Sequence, residues 1–328
     1  MEGTLRVNDD AHGVKVLYIG GCGRSGSTVL GNVLGELDGF FHAGELRTIW
    51  GRGLQRGRLC GCGLPIGECD FWRSVLKEAL RDHGDGSLDP AEVFRLQREV
   101  IRLRHVPYML RARRGQELDW KPLRDYSEAA SRLYVSIADV AGAGVIVDSS
   151  KRHADAALLR LLPSIQPFYV QLVRDPRAVA YSWRRTKTSP TRGGRPDMAQ
   201  LSPVVVARNW VLENVSVEAV RRRHDPSNSM LVRYETFVDK PRQTLRGILH
   251  MLGEERSELP FVDGRTIMLN PGHTAGGNPD RFRTGTVALR EDTEWLEQQP
   301  QRDRVISTII SLPLLRRYGY RVFPRRAG

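Results

Sequence analysis

The sequence predicts an α/β fold of three layers, in which a central parallel sheet is flanked by helices. The chain has 328 residues, of which 40% are hydrophobic and 27% charged, as is ordinary for a globular domain. An apolar strand near the N-terminus runs directly into a glycine-rich turn and an amphipathic helix. Strand-like and helix-like segments then alternate, which is typical of a parallel sheet. We therefore expect residues 1–328 to form a single domain, with residues 1–12 flexible.

Each element has its own signal. Val14–Gly20 is an apolar, β-branched run that ends in glycine, and it predicts a buried strand, while 27–37 has apolar residues at helical spacing. Asp89 before Pro90 is typical of a helix start. The other predicted strands are 145–147, 167–173 and 230–233, and the other predicted helices are 127–140, 154–162, one from 176, 202–223, 241–252 and 302–312. Residues 51–67 and 262–291 lack periodicity, and the longer of these segments is typical of a functional or disordered loop.

The chain is basic, with 50 Lys and Arg residues against 38 Asp and Glu and a formal net charge of +12. Such a balance suits an anionic ligand, a nucleic acid or an anionic membrane surface. The basic residues are spread out without a helix-turn-helix or aromatic-rich element, so we do not expect a nucleic-acid partner. No apolar run approaches the ~20 residues of a membrane span, and the N-terminus lacks a signal core. We expect a cytoplasmic protein without a membrane span.

The turn at 21–28, with sequence GCGRSGST, has the composition of a phosphate-binding loop. Its glycines allow backbone N–H groups to point inward, and the N-terminus of the following helix favours an anion. In the nucleoside-triphosphate version a lysine stands where this chain has Ser27. The fold is therefore expected to be P-loop-like, but ATP or GTP phosphoryl transfer is disfavoured. A kinase of the P-loop class remains an alternative.

Two motifs carry a family resemblance. Residues 23–28 resemble the 5′-phosphosulfate-binding loop of sulfotransferases, including the tyrosylprotein sulfotransferases and a group of bacterial enzymes. Residues 174–182 (RDPRAVAYS) are similar to the segment with which the same families bind the 3′-phosphate. The resemblance implies that 3′-phosphoadenosine 5′-phosphosulfate (PAPS) is the sulfuryl donor. The residues that it assigns to the two phosphate groups are Arg24, Ser25, Gly26, Ser27, Thr28, Arg174 and Ser182.

Two further segments resemble parts of the nucleotide site in these families. Residues 232–235 look like the strand whose tyrosine, here Tyr234, lies near the nucleotide. The loop at 270–290 looks like the basic C-terminal loop that closes over it. The resemblance implies that Asn278, Arg281 and Arg283 contact the donor.

Sulfuryl transfer to a hydroxyl requires a base for the acceptor proton and cations that steady the leaving oxygen. Glu45 lies in an element similar to the Gly-Glu-x-x-Arg of the tyrosylprotein enzymes, although one residue fewer separates it from Arg47. The resemblance implies that Glu45 is the base, and His42 is the second candidate. Lys151 follows a predicted strand and resembles the catalytic lysine that assists the leaving group. The alternatives are structural ion pairs, of Glu45 with Arg47 and of Lys151 with Asp148.

Three of the four cysteines lie close together in sequence, at Cys60, Cys62 and Cys69. They supply three of the four ligands of a structural zinc, which His42 or Asp70 would complete. A disulfide from Cys69 to one of the others, or three free thiols, are the alternatives. We assign no metal to the reaction or to the site residues.

The acceptor is expected to be a small molecule, a carbohydrate or a lipid that carries a hydroxyl group. Segments 51–125 and 186–203 are expected to be insertions on the acceptor side of the site. A nucleic-acid-binding protein is the alternative outside the enzymes.

Overall fold

A computed structural model of the chain describes residues 13–81, 88–113, 116, 118–185 and 200–323. Residues 1–12 and most of 186–203 lie outside the described residues. The strands are β1 (Val14–Gly20), β2 (Phe40–Gly44), β3 (Val145–Lys151), β4 (Ile165–Val173), β5 (Ser229–Arg233), β6 (Thr266–Leu269) and β7 (Gly285–Ala288). The first five form one sheet in the order β2-β3-β1-β4-β5, and every neighbouring pair in it is parallel. This is the parallel α/β fold that the alternating pattern predicts.

Helices cover both faces of this sheet. They are α1 (Ser27–Gly35), α2 (Asp70–Ala79), α3 (Pro90–Val100), α4 (Val106–Arg111), α5 (Lys121–Ala141), α6 (His153–Leu159), α7 (Pro176–Arg184), α8 (Pro203–Arg221), α9 (Tyr234–Asp239), α10 (Pro241–Leu252), α11 (Trp295–Gln298) and α12 (Gln301–Arg317). Among the described residues, none of these helices combines the length and apolar character needed to cross a membrane.

The alternating side chains of β1 show how the layers form. Val16 and Tyr18 belong to an apolar cluster with α2, α3, α5 and α6, whereas Leu17 and Ile19 belong to one with α1 and α10. Successive side chains of a strand point to opposite faces, so β1 contributes to both cores and is buried on both sides. The continuous apolar run in its sequence has this cause.

Several parts of the chain differ from the sequence prediction, among them α4 and α9, which were not predicted, and Tyr234, which begins α9 rather than lying on a strand. A π-helical stretch, Ile49–Gln55, extends into the segment 51–67. Helix α2, which follows this segment, was not predicted. Residues 262–291 are not irregular throughout, because β6 and β7 pair there as an antiparallel ribbon. The ribbon packs through Ile267 and Val287 onto the core beside α1 and α10. Short strands among many glycines and prolines leave little periodic signal.

The parallel strands end at one edge of the sheet. In the register of the sheet, Gly20 at the end of β1 lies opposite Lys151 at the end of β3, and Gly44 at the end of β2 lies opposite Asp148. Segments that follow β1, β2, β3 and β4 therefore emerge side by side. Ligands of open α/β sheets bind at this edge.

The first helix lies unusually close to β2, where His42 fits against two glycines of α1. A Cβ atom on Gly31 would lie 2.2 Å from His42 Nε2, and one on Gly35 would lie 2.9 Å from His42 Cβ. The Nδ1 atom of His42 is 3.1 Å from Asn32 Oδ1, and its Nε2 atom is 3.2 Å from Ser149 Oγ. The ring is thus enclosed and hydrogen-bonded at both nitrogens.

This packing predicts a specific cost for a small substitution. We expect Gly31→Ala to destabilise the protein by about 1–3 kcal/mol, because the added methyl group displaces the enclosed imidazole. Gly247→Ala in α10 is the matched control, since its Cβ would lie at an ordinary 3.6 Å from Met230. That variant should be neutral or more stable by up to about 1 kcal/mol. Urea unfolding measures both, and equal stability of the two variants would contradict the packing described.

Candidate active site

A cavity of about 780 Å³ opens at the edge where the strands end. Eight basic and three acidic residues of the described chain line it, so its charge suits an anionic ligand. The basic residues are Arg24, Arg52, Arg56, Arg58, Lys151, Arg174, Arg185 and Arg281, and the acidic ones are Glu45, Asp280 and Asp292.

The turn between β1 and α1 forms one wall. Gly26, Ser27 and Thr28 line the cavity, and α1 begins at Ser27, so the N-terminus of the helix faces the cavity. Gly26 has a φ of 92°, and a Cβ atom on it would lie 2.4 Å from the ring of Tyr234. Only glycine satisfies both constraints at this position. Arg24 also adopts a left-handed backbone, with φ 70°.

Two segments that are far apart in sequence meet in an ion pair at the cavity. Lys151 Nζ lies 2.5 Å from Glu45 Oε1 and 3.4 Å from Ser27 Oγ of the turn. Lys151 is the last residue of β3 and has φ 72°, while Glu45 follows β2 directly. Side chains of Glu45 and Lys151 are 19% and 16% exposed, so the pair is largely shielded from water. A carboxylate, an ammonium and a hydroxyl group are thereby placed at one point.

Burial raises the pKa of Glu45, but the nearby Lys151 ammonium outweighs burial, with further help from Arg47 and Arg52, and the net pKa is lowered. Glu45 is consequently ionised at neutral pH. Burial lowers the pKa of His42 to about 3, because it disfavours the charged imidazolium. The ring is therefore neutral at neutral pH.

A second cationic position lies on the β4 side. Arg174 Nη1 donates to the carbonyl oxygen of Arg24 at 3.2 Å, and its Nη2 lies 3.1 Å from Asp292 Oδ2. The guanidinium carbon lies 4.6 Å from the centre of the Tyr234 ring. Arg185 also pairs with Asp292. Burial raises the pKa of Asp292, yet Arg174 and Arg185 outweigh it and leave the pKa lowered.

The far wall is formed by residues 277–281, where a loop leads into a short 3-10 helix, Pro279–Phe282. Ala275 N donates to the Ala43 carbonyl at 2.8 Å, and Glu45 N donates to the Gly276 carbonyl at 3.2 Å. Arg281 donates to the carbonyl oxygens of Gly277 and Leu59, at 2.8 and 3.1 Å. The loop that carries Asn278 and Arg281 is thus attached to the end of β2 by backbone hydrogen bonds.

Comparison with known proteins identifies the family of the chain. A family model described as the sulfotransferase family matches residues 17–258, which is well over half of the chain. The chain belongs to the sulfotransferase family. No curated protein matches its sequence.

Solved structures that are also described as sulfotransferases are similar to this chain. The sulfotransferase domain from the curacin biosynthetic pathway is 18% identical, with a TM-score of 0.51 over 94% of this chain and 98% of that one. The corresponding domain of the Synechococcus PCC 7002 olefin synthase is 20% identical (TM-score 0.49, 95% and 98% covered). Sulfotransferase STF9 from Mycobacterium avium is 15% identical (TM-score 0.45, 96% and 80% covered). The first of these supports the fold.

Most of the residues singled out in the sequence reach the cavity of the sulfotransferase. Those that line it are Arg24, Gly26, Ser27, Thr28, Glu45, Lys151, Arg174, Ser182, Tyr234, Asn278 and Arg281. Ser25 is buried behind the turn, at 1% exposure. Arg283 is exposed and does not line the cavity. His42 does not line it either, because β2 points its ring under α1 instead.

Both structural alternatives for the central pair are wrong. Arg47 pairs with Asp155, at 3.4 Å, rather than with Glu45. Asp148 accepts hydrogen bonds from Tyr134 Oη at 2.6 Å and from the Ser150 backbone at 2.8 Å, and it leaves Lys151 to Glu45.

Several lining residues escaped the sequence reasoning. Arg52, Arg56 and Arg58 come from the Gly/Arg-rich segment after β2, where repeated arginines between glycines were the available signal. Asp292 and Arg185 gave no signal, because they become notable only where Asp292 pairs with both Arg185 and Arg174.

The Glu45–Lys151 pair predicts how stability depends on pH. Because the folded pKa of Glu45 is lowered, the contribution of the pair is fully present above the ordinary value of 4.5. It is lost as the pH falls through the folded pKa. We expect Glu45→Gln to lower the free energy of unfolding by roughly 1–3 kcal/mol at neutral pH, and by less in acid. Urea unfolding at several pH values tests this, with the exposed Glu297→Gln as control. A difference that grew towards low pH would refute the sign.

Proposed function

We propose that the protein transfers a sulfuryl group from PAPS to a hydroxyl group of a small-molecule, carbohydrate or lipid acceptor. The observation that carries the proposal is the meeting of Lys151, Glu45 and the phosphate-loop hydroxyl of Ser27 at one point of a cationic cavity. Arg174 and Ser182 line the same cavity.

The residues present fit such a donor. Arg24, Ser25, Gly26, Ser27 and Thr28 would hold the 5′-phosphate and the sulfonate at the N-terminus of α1. The guanidinium of Arg174 and the hydroxyl of Ser182 would hold the 3′-phosphate.

One unsatisfied polar atom on the cavity wall supports this fit. Asn278 Oδ1 is buried and has no hydrogen-bond partner among the described residues, although Asn278 lines the cavity. Such an atom is costly in a folded protein and is commonly explained by an absent ligand, ion or water. A polar nucleotide would provide the missing partner. Tyr234, Asn278 and Arg281 lie on walls from which they would enclose it.

The reaction is an in-line displacement at sulfur. The acceptor oxygen forms a bond to sulfur while the bond from sulfur to the bridging oxygen of the 5′-phosphate breaks. Glu45 takes the proton of the acceptor hydroxyl. The Lys151 ammonium neutralises the charge that develops on the departing oxygen, which leaves as adenosine 3′,5′-bisphosphate.

The ion pair explains how the base is held until it is needed. A carboxylate with a lowered pKa is a weak base, and Lys151 is the main attraction that lowers it. The negative charge of a bound donor competes for the Lys151 ammonium. As Lys151 turns towards the donor, burial then raises the pKa of Glu45 into a range better suited to accept a proton.

Other functions have no comparable support. In a P-loop kinase the lysine in the turn itself contacts the phosphates, whereas Ser27 stands there in this chain. Turnover of ATP with magnesium is the discriminating assay, and we expect none. For a nucleic-acid-binding protein, the lining cations form a concave cavity of limited volume rather than an extended basic stripe.

The donor site is tested by nucleotide binding. We expect Arg174→Ala to weaken binding of adenosine 3′,5′-bisphosphate by roughly 10- to 100-fold, because it removes a charge-assisted contact with phosphate. The exposed Arg246→Ala on α10 is the control and should bind normally. Isothermal titration calorimetry measures both variants. Unchanged affinity in Arg174→Ala, or salt-sensitive binding of random DNA without nucleotide binding, would overturn the proposal.

The base is tested by separating binding from turnover. We expect Glu45→Gln to lower kcat by about 10²- to 10⁴-fold, as for loss of a general base, while the affinity for the bisphosphate stays within a few-fold. His42→Gln serves as comparison, because a buried neutral ring outside the cavity has no proton-transfer role. Turnover of a hydroxyl acceptor found by screening provides the assay. Full activity of Glu45→Gln would exclude Glu45 as the base.

A further inference from the structure

The cysteines near residue 60 meet a histidine that is distant in sequence. Cys60, Cys62, Cys69 and His273 place their ligand atoms within 4.8 Å of one another. His42 and Asp70, the expected completing ligands, are not part of the group: His42 lies under α1, and Asp70 is exposed beside Arg73. The alternative of a disulfide is also wrong, because all four cysteines of the chain are free thiols.

The separations match one tetrahedral ion. Cys62 Sγ and Cys69 Sγ are 3.7 Å apart, and His273 Nδ1 lies 3.3 Å from Cys69 Sγ and 3.7 Å from Cys60 Sγ. Zinc bonds of about 2.3 Å to sulfur and 2.0–2.1 Å to nitrogen, arranged tetrahedrally, place ligands about 3.8 Å (S–S) and about 3.6 Å (S–N) apart. A cysteine–histidine set of this size suits Zn²⁺ and is too compact to surround an iron–sulfur cluster.

We propose that Cys60, Cys62, Cys69 and His273 bind one structural Zn²⁺ ion. Four protein ligands close the coordination shell, which is the mark of structural rather than catalytic zinc. Cys60 and Cys69 are fully buried. The site is separate from the cavity, since none of its four ligands lines it. The sequence suggested a structural zinc at the three cysteines but assigned no metal to the reaction. This ion would have no part in sulfuryl transfer, and the inference does not depend on the donor.

The surroundings hold the ligands in place. The Phe71 ring stacks on the His273 ring, with centroids 5.0 Å apart and planes 12° apart. Gly61, between two of the cysteines, donates its N–H to the Thr274 carbonyl at 3.0 Å. A Cβ atom on Gly61 would lie 2.5 Å from the Gly272 carbonyl oxygen. Glycine in the Cys-Gly-Cys sequence therefore allows the two chain segments to approach closely enough to share an ion.

The ion would join two walls of the cavity. Residues 52–59, just before the first cysteine, contribute three arginines and Leu59 to the lining. Gly277, Asn278 and Arg281, just after the histidine, contribute the adjoining wall. Zinc coordination fastens these segments to each other beside the site, and its loss would loosen both.

Metal analysis of the purified, untagged protein tests the proposal. We expect about one zinc per chain by inductively coupled plasma mass spectrometry. We expect the zinc content of Cys62→Ser and His273→Ala to fall at least about tenfold. Cys22→Ser and His250→Ala, which lie outside the cluster, should retain the zinc. Less than a tenth of an equivalent of zinc in the wild type, an equivalent amount of iron instead, or undiminished zinc in Cys62→Ser and His273→Ala would overturn the assignment.

A second measurement uses the unaltered chain, in case the variants do not fold. Chelation by EDTA should release the zinc, lower Tm by about 5 °C or more, and make Cys60, Cys62 and Cys69 reactive towards iodoacetamide. Refilling with Zn²⁺ should restore both properties. Peptide mapping without reductant that found Cys62 joined to Cys69 by a disulfide in the purified protein would instead exclude the zinc site.

Discussion

The shared direction of the five strands is the constraint on which the site depends. Because β1, β2, β3 and β4 all end at one edge, the phosphate turn, Glu45, Lys151 and Arg174 come together although they are far apart in sequence. An antiparallel partner at any of these positions would carry its side chain to the opposite edge. The set of side chains in the cavity therefore depends on the topology of the sheet, which brings these residues together.

Charge is the second organising element. The cavity collects more cations than anions, and carboxylates pair with several of its cations: Glu45 with Lys151, and Asp292 with both Arg174 and Arg185. Unpaired buried charges would be costly, so these carboxylates stabilise a basic site in the folded protein. They also act as internal competitors that an anionic ligand must displace. These ion pairs thus lower the affinity for an anionic ligand and stabilise the fold in its absence.

Much of the fold and of the site was predictable from sequence, for identifiable reasons. Lys151 and Arg174 follow apolar, β-branched strands, so their position at the sheet edge followed from the pattern alone. His42 was placed in the site because it is close to Glu45 in sequence. Successive residues of β2 face opposite sides of the sheet, however, and the His42 ring lies under α1. The partnership of His273 with the cysteines had no local signal, since it depends on a contact across about two hundred residues that only the folded chain creates.

The left-handed backbone of Lys151 combines strain and an ion pair at a single residue. A side chain at φ 72° carries a conformational cost of about 1 kcal/mol that glycine would not. Glycine at the end of β3 would relieve this strain, but it would leave the Glu45 carboxylate without its ammonium partner. The ion pair thus offsets the strain that lysine introduces at this position. Attempts to stabilise the protein by replacing strained residues should leave this one untouched.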